Sequence, residues 1–298
     1  MTEERRADEG VELGPPTPHS TPHPTPDVTQ HPARRPLAGD PRALLGFFSR
    51  LPVGASARLE DVVAAFTLVP LVGWTIGLIA GAIALVGGSI LPATPMAALL
   101  LLVVVGFTGF NQTDGLLDLG DGLMVHGDTE KRLRVMHDHS AGVGAVSAVL
   151  FTYLLGFAAL AGIAAQTAAF ADAGWLGAGS RVLAAAVVLA EVAARLPYLL
   201  LAWLGRPSHG GLGSQFLEGF GARHALVGLA AAAPVVLAGW WLGWLPVVLA
   251  AAAALLVAVW LLRTATRLLG GIGGDVLGAS QELARTAALL AISVGLAL

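Results

Sequence analysis

The sequence predicts an all-α, polytopic membrane bundle of about seven transmembrane helices, within a range of six to eight, on three observations. Of its 298 residues 55% are hydrophobic and 12% charged, against roughly a quarter charged in soluble globular proteins, and the mean hydropathy is +0.74. Apolar runs recur that are long enough to cross a hydrocarbon core roughly 30 Å thick as helices. Strand-like alternation is absent, which argues against a barrel.

Residues 1–40, ending at Asp40, are rich in Pro, Thr, His and charge, include the run Pro15–Pro26, and hold no apolar stretch that could form a core. They read as a disordered tail ahead of a membrane-embedded domain over 41–298. The tail lacks the apolar region of a secretory signal, so the first span is expected to act as an uncleaved insertion signal. His19, His23 and His31 stand among prolines, a spacing that suits a floppy tail better than a metal site. From Pro41 to about Leu51, Leu44, Leu45, Phe47 and Phe48 beside Arg42 and Arg50 fit either a surface amphipathic helix or a plain helix packed on the bundle.

The expected spans lie near Val63–Ile90, Met96–Phe110, Val143–Ala165, Val182–Leu204, Ala225–Trp244, Leu245–Leu262 and Glu282–Leu298. Pro70, Pro197, Pro234 and glycine clusters are places where a span can kink or break. Seven arginines precede the first run, and Lys131, Arg132, Arg134, Arg206, Arg223, Arg263 and Arg267 fall in alternate loops. Because Lys and Arg favour the cytoplasmic side, the N-terminus and the long polar loops are expected there.

Composition also excludes. The formal net charge is −3 and no basic stripe with interleaved aromatics occurs, so no nucleic-acid partner is expected. With no cysteine, disulfides, thiolate zinc sites and cysteine nucleophiles are ruled out, and a metal would need oxygen or imidazole ligands. The lipid bilayer is the expected environment, and a homo-oligomer is compatible with the sequence.

The most informative stretch is Thr113–Gly122, TDGLLDLGDG, with Asp114, Asp118 and Asp121 at spacings of four and three. At about 100° per residue the three carboxylates of such a helix lie within roughly 60° of one another. A like-charge cluster is unfavourable unless a cation or proton offsets it. Clustered carboxylates without thiolates suit Mg²⁺, which often bridges a few carboxylates to substrate phosphates. The bland alternative is a solvated loop between spans, but carboxylates directly after an apolar run default to function. Asp128 and Asp138 follow, with His126, His137 and His139 as loop residues or proton shuttles. Arg132 and Arg134 could clamp a phosphate or serve as ordinary cytoplasmic-loop arginines. Glu191 and Arg195, four apart in an apolar span, are either a bridge inside the bundle or a substrate-facing pair. Asp275 and Glu282 flank a glycine-rich turn, a weak phosphate signal by itself.

Taken together, GFTGFNQTDGLLDLGDGL (Gly106–Leu123), MHDHSAGVGA (Met136–Ala145) and GGIGGDVLGASQEL (Gly270–Leu283), with FFSRLPV (Phe47–Val53) ahead of them, resemble the characteristic segments of the cobalamin synthase family, the adenosylcobinamide-GDP ribazoletransferases. The order and spacing agree, and the resemblance covers the chain from about Leu44 onward. It implies Mg²⁺-dependent transfer of the adenosylcobinamide phosphate group from adenosylcobinamide-GDP to α-ribazole or α-ribazole 5′-phosphate, with GMP leaving. Carried over by motif, it implies Asp114, Asp118 and Asp121 as metal ligands and Asp138, Asp275 and Glu282 as catalytic carboxylates. Arg132, Arg195, Gly142 and Gly274 are then expected at the substrate. Where the family pattern can show Arg-Asp-Ser-Arg, this chain has His137-Asp138-His139-Ser140, so basic contacts there would depend on imidazole or come from other residues. Two rivals stand beside this reading. A phospholipid-forming transferase would need a differently spaced aspartate motif that is missing, and a transporter would favour two related halves, of which no repeat is evident.

Overall fold

The computed structural model describes residues 35–54, 58–138, 140–168, 177–208 and 211–298; the rest of the N-terminal tail with its three histidines, and His139, lie outside them. Among the described residues the chain is built of helices, with one isolated bridge between Pro207 and Ile272 and no strand.

Helix α1 (Pro41–Phe48) begins where the Asp40 carboxylate accepts a hydrogen bond from the Arg42 N–H at 2.9 Å, with Pro41 at the first helical position. Leu44 and Phe48 are buried, and α1 packs against α2 (Leu59–Ala65), so the bundle-packed alternative holds rather than a surface helix. Packing also begins before residue 41. The Arg35 guanidinium donates to the carbonyls of Phe216 (2.8 Å), Glu218 (3.0 Å) and Val63 (2.5 Å), so Arg35 packs with the helices that follow.

Next come α3 (Pro70–Gly87), α4 (Ala93–Phe107), α5 (Asn111–Met124), α6 (Thr129–Met136) and α7 (Val143–Ala168). They are followed by α8 (Ala178–Ala193), α9 (Leu196–Leu204), α10 (Leu212–Leu217), α11 (Ala222–Ala232), α12 (Gly239–Leu242), α13 (Trp244–Leu268) and α14 (Gly274–Ala297). Gly73, Gly77 and Gly81 place a small-residue stripe on α3. A Cβ added at Gly73 would meet the Glu191 carbonyl oxygen at 2.6 Å, and one at Gly77 the Val188 Cα at 3.1 Å. This stripe lets α3 and α8 approach backbone to backbone, the association mode that works where lipid removes the hydrophobic drive between helices.

Among the described residues five helices are long and apolar enough to cross a membrane: Pro70–Gly87, Val143–Ala168, Ala178–Leu204, Ala222–Leu242 and Trp244–Leu268, or six if the bent pair α4–α5 counts as one span. Six is the lower end of the expected six to eight, and the central expectation of seven is not reached for two physical reasons. The Met96–Phe110 run ends in a 92° bend between α4 and α5, where Gly109 (φ 66°) and Phe110 (φ 62°) turn left-handed. The C-terminal run belongs to a longer helix, α14, which carries Asp275, Glu282 and Arg285 and is enclosed by α5, α7 and α13. The protein is a multi-pass helical membrane protein whose central helix is polar at one end.

Candidate active site

The left-handed turn at Phe110 is a rare conformation for a bulky residue, of the kind that collects at functional sites. It aims α5 across the bundle, where small residues admit close neighbours. A Cβ on Gly115 would stand 2.7 Å from the Asp275 carbonyl oxygen, and one on Gly120 would stand 2.6 Å from the Gly144 carbonyl oxygen. Thus α14 and α7 press against α5 and bring its acidic face beside Asp275.

Those carboxylates face a cavity of about 710 Å³, within the size range of small-molecule sites. Asp114, Asp118, Asp121, Asp138 and Asp275 all line it, joined by His137, Ser140, Ser208 and Ser214. Gly274 lines it as well, at the N-terminus of α14, where free backbone N–H groups and the helix dipole favour an anion. No Lys or Arg lines it among the described residues.

Asp121 has a settled position. Its Oδ2 accepts the Gly142 N–H at 2.7 Å and its Oδ1 the Ala145 N–H at 2.8 Å, so it caps the start of α7. Gly142 leaves room for this carboxylate: a Cβ there would sit 2.5 Å from Asp121 Oδ1. Asp138 is exposed and turns one oxygen to the Ser140 N–H at 3.0 Å. Asp128 caps α6 by accepting the Lys131 N–H at 2.9 Å.

Three expectations from sequence are corrected by geometry. Arg132 does not face the cavity; its guanidinium donates to the carbonyls of Gly122 (2.8 Å), Leu123 (3.1 Å) and Gly127 (3.3 Å), closing the end of α5. Arg195 and Glu282 are buried away from the cavity in a four-charge cluster. There Glu191 accepts from Arg195 at 2.9 Å and from Arg285 Nε at 2.5 Å, and Arg285 also pairs with Glu282. The bland reading of Glu191 and Arg195 holds, enlarged by a second pair. Beside it, Thr113 Oγ1 and Tyr153 Oη share a hydrogen bond of 2.5 Å that ties the first turn of α5 to α7.

Sequence reasoning missed Ser208, in the loop between α9 and α10, and Ser214, in α10, which both line the cavity. That loop is tied to the turn before α14, with the Ile272 N–H donating to the Arg206 carbonyl at 2.7 Å and the Ser208 N–H to the Ile272 carbonyl at 3.2 Å. The available signal was a serine- and glycine-rich stretch directly after an apolar span.

A hard cation can be tested against this arrangement. Among the described residues no three His, Asp or Glu side chains converge into a ready-made metal cage. Mg²⁺, however, is commonly held by one or two carboxylates together with waters and substrate phosphates. A cavity lined by five aspartates fits that second mode, with Asp114 and Asp118 as the acidic pair on the exposed face of α5.

A family model described as cobalamin-5-phosphate synthase matches residues 40–293. The chain belongs to that family. A relative from Halorubrum lacusprofundi, named adenosylcobinamide-GDP ribazoletransferase, is 39% identical over 256 residues, covering 83% of this chain and 94% of its own. Proteins of the same name from Methanosarcina barkeri and Methanococcoides burtonii are each 32% identical, covering 84% and 86% of this chain and 89% and 92% of their own. No solved structure matches the chain. The cobalamin-5-phosphate synthase match spans all five cavity aspartates and the helices that carry them.

Proposed function

We propose that this protein joins adenosylcobinamide-GDP to α-ribazole or α-ribazole 5′-phosphate, giving adenosylcobalamin or its 5′-phosphate and GMP. Its family membership and the names of its relatives support the reaction class. The observation that carries the mechanism is the set of five aspartates with no Lys or Arg among the described lining residues. A diphosphate would be repelled from such a cavity unless a cation came with it.

Asp114 and Asp118 are the residues to hold that cation, with Asp275 beside them on α14 and Asp121 locked against α7. Mg²⁺, when bound, would supply charge to offset the diphosphate and to stabilise the departing GMP. The N–H groups at the start of α14 orient a phosphate. Asp138, exposed and held by one backbone hydrogen bond, accepts the proton from the attacking ribazole hydroxyl. The hydroxyl oxygen forms a bond to the cobinamide-side phosphorus, and the bond from that phosphorus to the GMP oxygen breaks. Arg195 and Glu282 act through position, as parts of the buried cluster that stiffens α8 against α14.

The orientation follows the charges. Lys131 and Arg134 on α6, Arg206 after α9, and Arg263 and Arg267 in the last turns of α13 support a cytoplasmic side for the cavity and the N-terminus, because Lys and Arg favour that side.

Removing metal tests this reading. Washed membranes treated with EDTA should lose GMP release from adenosylcobinamide-GDP and regain it with Mg²⁺. Unchanged turnover after complete chelation would remove the cation from the mechanism.

A further inference from the structure

A second cavity, of about 670 Å³, lies far from the carboxylates, between α3, α8 and the segment running from Pro234 to Trp241. Its walls are apolar, with Leu78, Val188 and Leu237 among them, and Leu78 and Leu237 are exposed. The third wall departs from α geometry: residues Ala233–Ala238 form a 3-10 turn that includes Pro234. The floor is preformed, because Trp74 Nε1 donates to the Ala231 carbonyl at 3.1 Å and joins α3 to α11.

One charge stands in this lining. Arg181, in the first turn of α8, holds its guanidinium carbon 5.3 Å over the Trp241 ring, and no acidic side chain lines the cavity among the described residues. The span Ala178–Leu204 is 27 residues long, roughly 40 Å as a helix. Arg181 is at its beginning, whereas Ser208, just past its end, lines the carboxylate cavity. The two cavities therefore open at opposite membrane faces.

The occupant must present an anionic end to an arginine fork and an apolar body to a groove that faces lipid. We infer that this groove binds one phospholipid with a net negative headgroup, its phosphate on Arg181 and an acyl chain along α3 and α8. Arginine matches phosphate in a bidentate manner, and the cation–π contact with Trp241 holds the guanidinium at the rim. Trp241, beside the end of its span, suits the interfacial depth at which a headgroup passes into its chains, and Trp74 lies deeper, where the chains would run.

The full chain can be reconstituted with equal phosphatidylglycerol and phosphatidylcholine, extracted in mild detergent and weighed by native mass spectrometry. The native protein should retain one phosphatidylglycerol with about ten-fold preference. Arg181→Ala should erase the preference, Ala185→Phe should lower retention of both lipids by filling the groove, and Arg263→Ala at the other face should change neither. Melting points in the same detergent identify any variant that fails to fold, and Arg181→Ala, at an exposed residue, then decides alone. Equal retention of the two lipids by native protein, an unchanged preference in Arg181→Ala, or a lipid-free dimer mass would overturn the proposal, the last by assigning the groove to a second copy.

Discussion

At the scale of single residues, the acidic motif divides its labour. Asp121 spends both carboxylate oxygens on backbone N–H groups of α7, while Asp114 and Asp118 keep theirs toward the cavity. Asp121→Asn should therefore lose stability along with activity. Replacing one acceptor oxygen by an amide leaves an N–H of α7 unpaired, for a cost of about 1 kcal/mol, readable as a lowered melting temperature in detergent. Asp114→Asn should lower turnover while leaving the melting temperature within error of native. The sequence made the shared face of Asp114, Asp118 and Asp121 legible because helix geometry alone fixes it. It could not separate their roles, because the N–H groups that claim Asp121 belong to residues 21 and 24 positions later. Arg132 was misread for the same reason: whether an arginine clamps phosphate or closes a helix depends on where that helix stops.

At the scale of elements, two devices fix α5. The left-handed Phe110 sets its direction, and the contacts of Gly115 and Gly120 set its depth against α14 and α7. A non-glycine in this conformation leaves no trace in apolar periodicity, so the expected span Met96–Phe110 carried no sign of the 92° bend that follows it. The buried cluster is a third device. Glu191 joins α8 to α14 through Arg285, 94 residues away, a partnership that no local pattern announces, whereas the four-residue spacing to Arg195 is visible at once. Glu191→Gln would leave the buried Arg195 without a carboxylate partner and Arg285 with Glu282 alone. Breaking such a pair costs about 3–5 kcal/mol, so this variant should denature at markedly lower temperature or denaturant concentration than native. A melting curve indistinguishable from native would show that the cluster does not hold α8 to α14.

At the scale of the whole molecule, the bundle builds a polar cavity at one membrane face from the ends of helices whose middles are apolar. The membrane class and most spans were legible because hydropathy reports solvent directly. The count was not, because α14 is shielded by other helices and carries charges that a lipid-facing helix could not. Orientation is testable with little ambiguity because the native chain has no cysteine. Single cysteines introduced as Glu130→Cys and Ser89→Cys should react with an impermeant maleimide from opposite sides of sealed membranes, Glu130→Cys from the cytoplasmic side. The reverse pattern would place the cavity outside.

The central claim is that the cavity-lining aspartates of α5 turn over adenosylcobinamide-GDP, and one measurement addresses it directly. Membranes containing either native chain or Asp118→Asn are supplied with adenosylcobinamide-GDP, α-ribazole and Mg²⁺, and cobamide and GMP are followed together. The account predicts equal amounts of cobamide and GMP from the native chain, and a loss of at least about a hundred-fold in Asp118→Asn at unchanged protein level and melting temperature. Native-like turnover in Asp118→Asn, or no product from folded native protein with either form of ribazole, would contradict it.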